Sequence, residues 1–265
     1  MDKITKVIIL NICFLAGQTL TLPSAEVEEL HNERGCVLRV GRVGFSNNTK
    51  ALDTSGHEND GVLNGNTIAW SYSKSAYAIN EDGNRNNCLI IGTVDALDYA
   101  NTFDSIDKTI TAWIWLDTAS VTTWYNPVFF CSDSDGSPRI RCFAYMNGRS
   151  DMLFNIQGDG GANSTASSSG NEATTGIWHF VICERDVSEN KSTIYLDNKE
   201  IASDTTDVGT ISQFTSDDYP RIGAPTHPAI DHSFDGFIGE VKWYNRLLTA
   251  TEKHKSYLQG KDKHK

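Results

Sequence analysis

The sequence predicts an all-β fold, a sandwich or a barrel, with one short helix near the C-terminus. Two observations carry this. From Cys36 onward, short apolar runs rich in Val, Ile, Thr, Trp and Tyr alternate with clusters of Gly, Asn, Asp and Ser. Helix signals are sparse in the same region. After the N-terminal leader only Thr249 to Leu258 reads as helix, with Thr249 as cap and Glu252 completing a capping box. Many closely spaced strands with little helix must bury their faces against one another, which gives two packed sheets or a closed barrel.

The elements follow in order. "MDKITK" is a charged start, "VIILNICFLAG" (Val7 to Gly17) is apolar but too short to span a bilayer, and "TLPSA" ends in small residues. That order reads as a secretory signal peptide over residues 1–25, cut after Ala25, and predicts a secreted or cell-surface protein with no transmembrane segment once the signal is gone. Residues 26–35 form a polar leader. One domain then spans residues 36–258, and residues 259–265 form a basic tail that reads as a solvated end. Predicted strands include "CVLRV", "CLIIG", "KTITAWIWL", "PVFFC", "RIRCFAYM", "MLFNIQ", "IWHFVICE", "STIYLDNKEIA", "PRIGA" and "GFIGEVKWYNRLL". The stretch Gly158 to Gly176, rich in Gly, Ser, Asn and Thr, reads as a flexible polar loop. "KTITAWIWL" alternates: Thr109, Thr111, Trp113 and Trp115 share one face, and Ile110, Ala112, Ile114 and Leu116 the other. Both faces are apolar, so the strand is covered on both sides or lines an aromatic groove. For Trp113 and Trp115 the competing reading is core packing.

Charge narrows the partners. The net charge is −11, and no basic stripe runs through the body, which excludes a nucleic-acid partner. Of six cysteines, Cys13 lies in the signal, leaving an odd number. Export permits disulfides, and the short polar loop between "PVFFC" and "RIRCF" predicts a bridge from Cys131 to Cys142. Cys183 then reads as a buried free thiol. No CxxC pair and no Cys/His cluster supports zinc. N-x-S/T acceptors stand at Asn47, Asn163 and Asn190, relevant if the host glycosylates.

Four stretches together resemble the laminin-G-like, concanavalin A-like jelly-roll family. "ALDTSGHENDGVLNG" matches its D-x-S-G-x-x-N-D-G-x-L-x-G stretch, and "FDSIDKTITAWIWL" its central strand. "GIWHFVICERDVSENKSTIYLDNKEIAS" matches its W-H-x-V…Y-x-D-G hairpin, and "RIGAPTHPAIDHSFDGFIGEVKWYNRLLTATE" its closing segment. The resemblance implies two antiparallel sheets in a curved sandwich, and a domain that binds glycan or protein outside the cell. It also makes calcium possible, though no cofactor is required: Asp53, Asn59 and Asp60 sit in the loop where the family often holds the ion. The alternative is that Asp53 and Asn59 organise the turn through bonds to the backbone. Two positions depart from the pattern. Gly239 stands where Asp is common, removing a ligand, and Asn198 stands where Gly is usual, a residue that still tolerates a left-handed turn.

"ERDVSEN" carries Glu184, Asp186 and Glu189 at the spacing of laminarinase-like hydrolases, which use paired carboxylates as nucleophile and acid. Symmetric pairing about Ser188 and Glu189 sets Cys183 against Ile194 and Val181 against Leu196, so the acids fall at the rim of a hairpin. Arg185 and Ser188 also stand where such hydrolases keep apolar residues. No catalytic residue is therefore assigned. The expected function is a non-catalytic module that binds glycan or another extracellular ligand. A structural subunit of an extracellular assembly is the alternative, and a glycan-cleaving hydrolase the lesser one. An exposed aromatic patch on one sheet favours the first.

Overall fold

The computed structural model describes residues 34–41, 50–65, 68–79, 87–91, 105–117, 125–132, 139–146, 149–170, 172–211, 220–225 and 233–264. The chain divides into two units, residues 1–34 and 35–265, and every element below belongs to the second. The expected signal peptide, most of the leader, Cys13 and the acceptor Asn47 lie outside the described residues.

These residues form β1 (Cys36–Val40), β2 (Lys50–Ala51), β3 (Gly61–Asn64), β4 (Ile68–Ser71), β5 (Ala76–Ile79), β6 (Cys88–Ile91), β7 (Lys108–Leu116) and β8 (Tyr125–Ser132). Then come β9 (Arg139–Met146), β10 (Arg149–Gln157), β11 (Asn163–Ser167), β12 (Trp178–Asp186), β13 (Lys191–Leu196), β14 (Lys199–Asp204), β15 (Arg221–Ile222), β16 (Gly236–Tyr244) and helix α1 (Ala250–Lys261). They build two eight-stranded sheets. The first runs β14-β13-β12-β7-β16-β5-β4, with β1 also on β16; the second runs β11-β10-β9-β8-β15-β6-β3-β2. Every ladder is antiparallel. Of sandwich and barrel, the sandwich is the outcome.

Period-two alternation decides which side chains meet between the sheets. Ile110, Ala112, Ile114 and Leu116 of β7 and Val181 and Cys183 of β12 join Phe129, Ile140, Cys142 and Phe154 of the second sheet in one buried core. Each large side chain removed from water there contributes about 1.5–3 kcal/mol. The β12–β13 register sets Cys183 opposite Ile194 and Val181 opposite Leu196, as the hairpin symmetry predicts. The next turn, from Leu196 to Lys199, uses Asp197 and Asn198 with φ of 50° and 68°. That is the left-handed geometry of a two-residue hairpin, and Asn supports it almost as well as Gly.

Three expectations are corrected. The stretch Gly158 to Gly176 contains a strand: β11 pairs with β10, and Ser164 and Ala166 are buried on its inner side. Small side chains fill that position where an apolar run would signal it in sequence. The basic tail is not a solvated end, because α1 continues to Lys261 and His264 is buried. Cys131 and Cys142 are both free thiols. Register explains it: Cys131 faces Ile140 and Cys142 faces Phe129, so the two cysteines are diagonal neighbours. Diagonal positions lie about 7–8 Å apart, beyond the usual reach of a disulfide.

Candidate ligand-binding site

The outer face of the first sheet carries Trp113 and Trp115 on β7 and Trp178 and Phe180 on β12, with Trp178 directly opposite Trp115. Helix α1 packs on one end of this face. Trp113 is buried there, stacked on Tyr257 at 5.8 Å between ring centroids and tilted against Phe180 at 5.1 Å. Two glycines permit the close approach. A Cβ at Gly260 would overlap the Trp113 indole, and one at Gly239 would lie 2.9 Å from the His264 ring. Gly239, unusual for the family pattern, is what makes room for His264.

Beyond the end of α1 the aromatic face stays open. Trp115 and Trp178 are half-buried, and Ile177 beside them is 52% exposed. Phe237 of β16 braces both tryptophans, edge-on to Trp115 at 5.2 Å and tilted against Trp178 at 6.4 Å. Trp115, Ile177 and Trp178, with Tyr257 and Lys261 of α1, line an open pocket of about 350 Å³. Its polar groups are few, as is usual for a small-molecule site. Lys74 and Lys261 line it, their ammonium groups 5.4 Å from the ring centroids of Trp115 and Tyr257 respectively. Asp197 also lines it, but its oxygens are engaged: one accepts the Phe180 N–H at 2.9 Å and the other lies 2.8 Å from His179 Nδ1.

His264 forms part of the wall, its ring 4.3 Å from that of Trp178. Burial, reinforced by Lys263, pushes its pKa down to about 4, so the imidazole is neutral near pH 7. The ring reaches the Lys74 backbone carbonyl, while Nδ1 is buried without a partner. With the proton on Nε2, Nδ1 is left as a bare acceptor closed off inside the wall.

The residues singled out in the sequence fall elsewhere. Asp53 Oδ1 accepts the N–H groups of Arg39 and Ser55, and Oδ2 accepts the Ser55 hydroxyl and the Asn59 N–H, all at 2.8–3.0 Å. Asp60 accepts the Asp53 N–H, and Asn59 donates to the Val37 carbonyl. These bonds tie the loop to β1, and a cation at Asp53 would have to displace donors from both oxygens. Among the described residues no three His, Cys, Asp or Glu side chains converge as a metal site. Asn163 is exposed at the start of β11, and Asn190 lies in the β12–β13 turn, where its carbonyl accepts from Arg185.

The expected rim position of the acids holds for Glu189, which is exposed, but not for Glu184. Because β12 extends to Asp186, Glu184 lies on the strand beneath α1, 6% exposed, with Lys253 at 2.9 Å. Asp186 accepts the Ser188 hydroxyl and the Glu189 N–H to close the turn. The three carboxylates therefore do not face one cleft. Of the pocket, sequence reasoning marked Trp113 and Trp115 as groove candidates but missed Trp178, Lys74, Lys261 and His264. Pairing "IWHFVICE" with "KTITAWIWL" sets Trp178 beside Trp115 and was the available signal. The others arrive through the docking of α1 and the β4–β5 turn, which no local pattern announces.

The described residues contain no helix long and apolar enough to cross a membrane. Among solved structures the fold is similar to the binding domain of botulinum neurotoxin serotype D, with a TM-score of 0.64 and 12% identity over 86% of this chain and 52% of that one. It is also similar to the binding domain of Paraclostridial Mosquitocidal Protein 1, with a TM-score of 0.61 and 12% identity over 86% and 53%. A third similar structure is the binding domain of botulinum neurotoxin DC in complex with SialylT, at 0.59 and 12% over 86% and 52%. The chain thus spans about half the length of these structures. No curated protein matches it by sequence. The laminin-G-like profile described as the concanavalin A-like lectin/glucanases superfamily matches residues 92–252, more than half of the chain, and with the two-sheet sandwich now in view the chain belongs to that superfamily.

Proposed function

We propose that the protein is a non-catalytic saccharide-binding module acting outside the cell. The observation that carries this is the open pocket walled by half-buried Trp115 and Trp178, with Lys74 and Lys261 among the residues that line it. The C–H face of a pyranose packs on the electron-rich face of an indole, and its hydroxyls then find fixed polar groups at the edge. Lys74 and Lys261 bring two cations to this pocket in a chain of net charge −11, and Asp197 is the carboxylate that lines it. The pocket therefore favours a sugar that carries an acidic group. The similar toxin domain in complex with SialylT supports the reading by analogy of fold. A non-catalytic role is supported by the scattered placement of Glu184, Asp186 and Glu189, none of which lines the pocket.

The test is a saccharide array followed by titration of the bound sugars. Trp178→Ala should weaken binding tenfold or more, as truncating a central aromatic anchor does. Lys261→Met should weaken acidic sugars several-fold while leaving neutral ones nearly unchanged, and should flatten the salt dependence. Full affinity in a folded Trp178→Ala protein would place the sugar elsewhere and sink the assignment.

A further inference from the structure

His264 is wedged against the aromatic face of the first sheet. Its ring lies 4.3 Å from that of Trp178 and 5.1 Å from that of Trp113, above Gly239, where a Cβ would come within 2.9 Å of it. The backbone hold is slight by comparison: the His264 N–H donates to the Gly260 carbonyl at 3.0 Å, an oxygen it shares with Lys263. Docking is therefore carried by the ring, and the ring suits its site as a neutral group. It reaches the Lys74 carbonyl on one side, but Nδ1 is buried without a partner. An imidazolium donates from both nitrogens, so Nδ1 would become a buried donor with no acceptor. The surrounding charges bring no relief. Lys74 of the β4–β5 turn and Lys261 of α1 line the same pocket, and Lys263 precedes the ring in the chain. Glu240 of β16 is already paired with Arg39 at 2.9 Å and Lys242 at 3.3 Å. Asp197 of the β13–β14 turn already accepts the Phe180 N–H and holds His179. β7 and β12 contribute tryptophans to this wall.

We propose that residues 262–264 are an acid-released latch on the pocket: a proton taken up from solvent by His264 expels this segment from the wall while the sandwich and α1 stay folded. Release uncovers the sides of Trp113 and Trp178 that the imidazole now covers and removes one wall of the pocket, so the grip on a bound molecule weakens in acid. α1 keeps its place because Tyr257 remains stacked on Trp113 and the Thr249–Glu252 capping box lies at the far end of the helix. Released, the imidazole regains its ordinary value of 6.5, whereas docked it holds off the proton to about 4. Between those limits each pH unit favours the released form by up to about tenfold more. The effect on ligand capture rests on the saccharide reading of the same pocket, but the latch itself is measured without a sugar.

The experiment is quenching of tryptophan fluorescence by acrylamide from pH 7 down to pH 4, with far-UV circular dichroism recorded on the same samples. The expected result for the wild type is a step to stronger quenching, centred between pH 6.5 and about 4, with the sheet signal unchanged. His264→Phe keeps a ring in the wall but cannot take up a proton, so its quenching should stay low throughout. His264→Ala should be quenched strongly at every pH. A flat wild-type curve, a step that survives in His264→Phe, or a rise that appears only together with loss of the sheet signal would each overturn the proposal. The wild-type and His264→Phe curves decide the matter if His264→Ala does not fold. A neutral saccharide captured on the array should lose affinity over the same pH interval in the wild type and keep it in His264→Phe. An array on which nothing binds would overturn the saccharide reading, and the quenching step would still decide the latch.

Discussion

At the scale of single residues, Glu184 shows how depth changes a side chain's meaning. Its carboxylate is held by Lys253 at 2.9 Å, and the Lys253 ammonium also stands 4.0 Å above the Tyr195 ring. Burial alone would lower the Lys253 pKa, but the hydrogen bond and charge of Glu184 outweigh it and raise it. Glu184→Gln removes the partner of a half-buried cation and should destabilise the domain by about 1–3 kcal/mol in denaturant unfolding. Glu189→Gln, at the exposed tip, should fall within about 0.5 kcal/mol of wild type. Equal stability of the two variants would mean that the ion pair contributes nothing. The acid spacing was legible in the sequence, and so was the hairpin holding it. The burial of Glu184 was not, because it depends on Lys253, 69 positions later in the chain.

At the scale of elements, the sheet was largely legible and the helix docking was not. "KTITAWIWL" announces its two faces by alternation, and the hairpin register follows from matching apolar residues about a polar turn. β11 escapes because its inner positions, Ser164 and Ala166, are too small to register as a hydrophobic pattern. The α1 cap was readable: Thr249 accepts the Glu252 N–H, and the Glu252 carboxylate accepts the Thr249 N–H. Which face α1 covers was not readable, since that depends on the absence of side chains at Gly239 and Gly260. Thr249→Ala should cost about 1 kcal/mol. Because Tyr257, Lys261 and His264 all ride on this helix or its exit, the same change should weaken saccharide binding by more than the loss of fold accounts for. A titration at a temperature where the variant is fully folded checks this, and unchanged affinity there would separate the helix from the site.

At the scale of the whole molecule, acid should act in two stages. The His264 pKa is pushed from 6.5 to about 4, so the folded state resists a proton that the unfolded chain accepts. Its contribution to stability is complete above pH 6.5 and disappears as pH falls toward about 4. Glu252, hydrogen-bonded to Arg246, and Glu240, where Lys242 and Arg39 outweigh the effect of burial, are both held near 2 instead of 4.5. Their contributions persist above pH 4.5 and are lost between there and about 2. Melting midpoints recorded from pH 7 downward should therefore fall first over the histidine range and again over the carboxylate range. His264→Ala should remove the first step and Glu252→Gln should shrink the second. A single step unaffected by either variant would contradict the assignment.

The burial of His264 has a practical corollary for handling the protein. A purification tag or fluorescent fusion joined after Lys265 starts two residues beyond His264, whose side chain forms part of the pocket wall. Such a fusion would crowd the mouth of the pocket. Pulling on it, as in surface tethering or force spectroscopy, would draw out His264 and the end of α1 before loading either sheet. A handle placed at the β12–β13 turn, at exposed Ser188 and Glu189, would leave the pocket unencumbered.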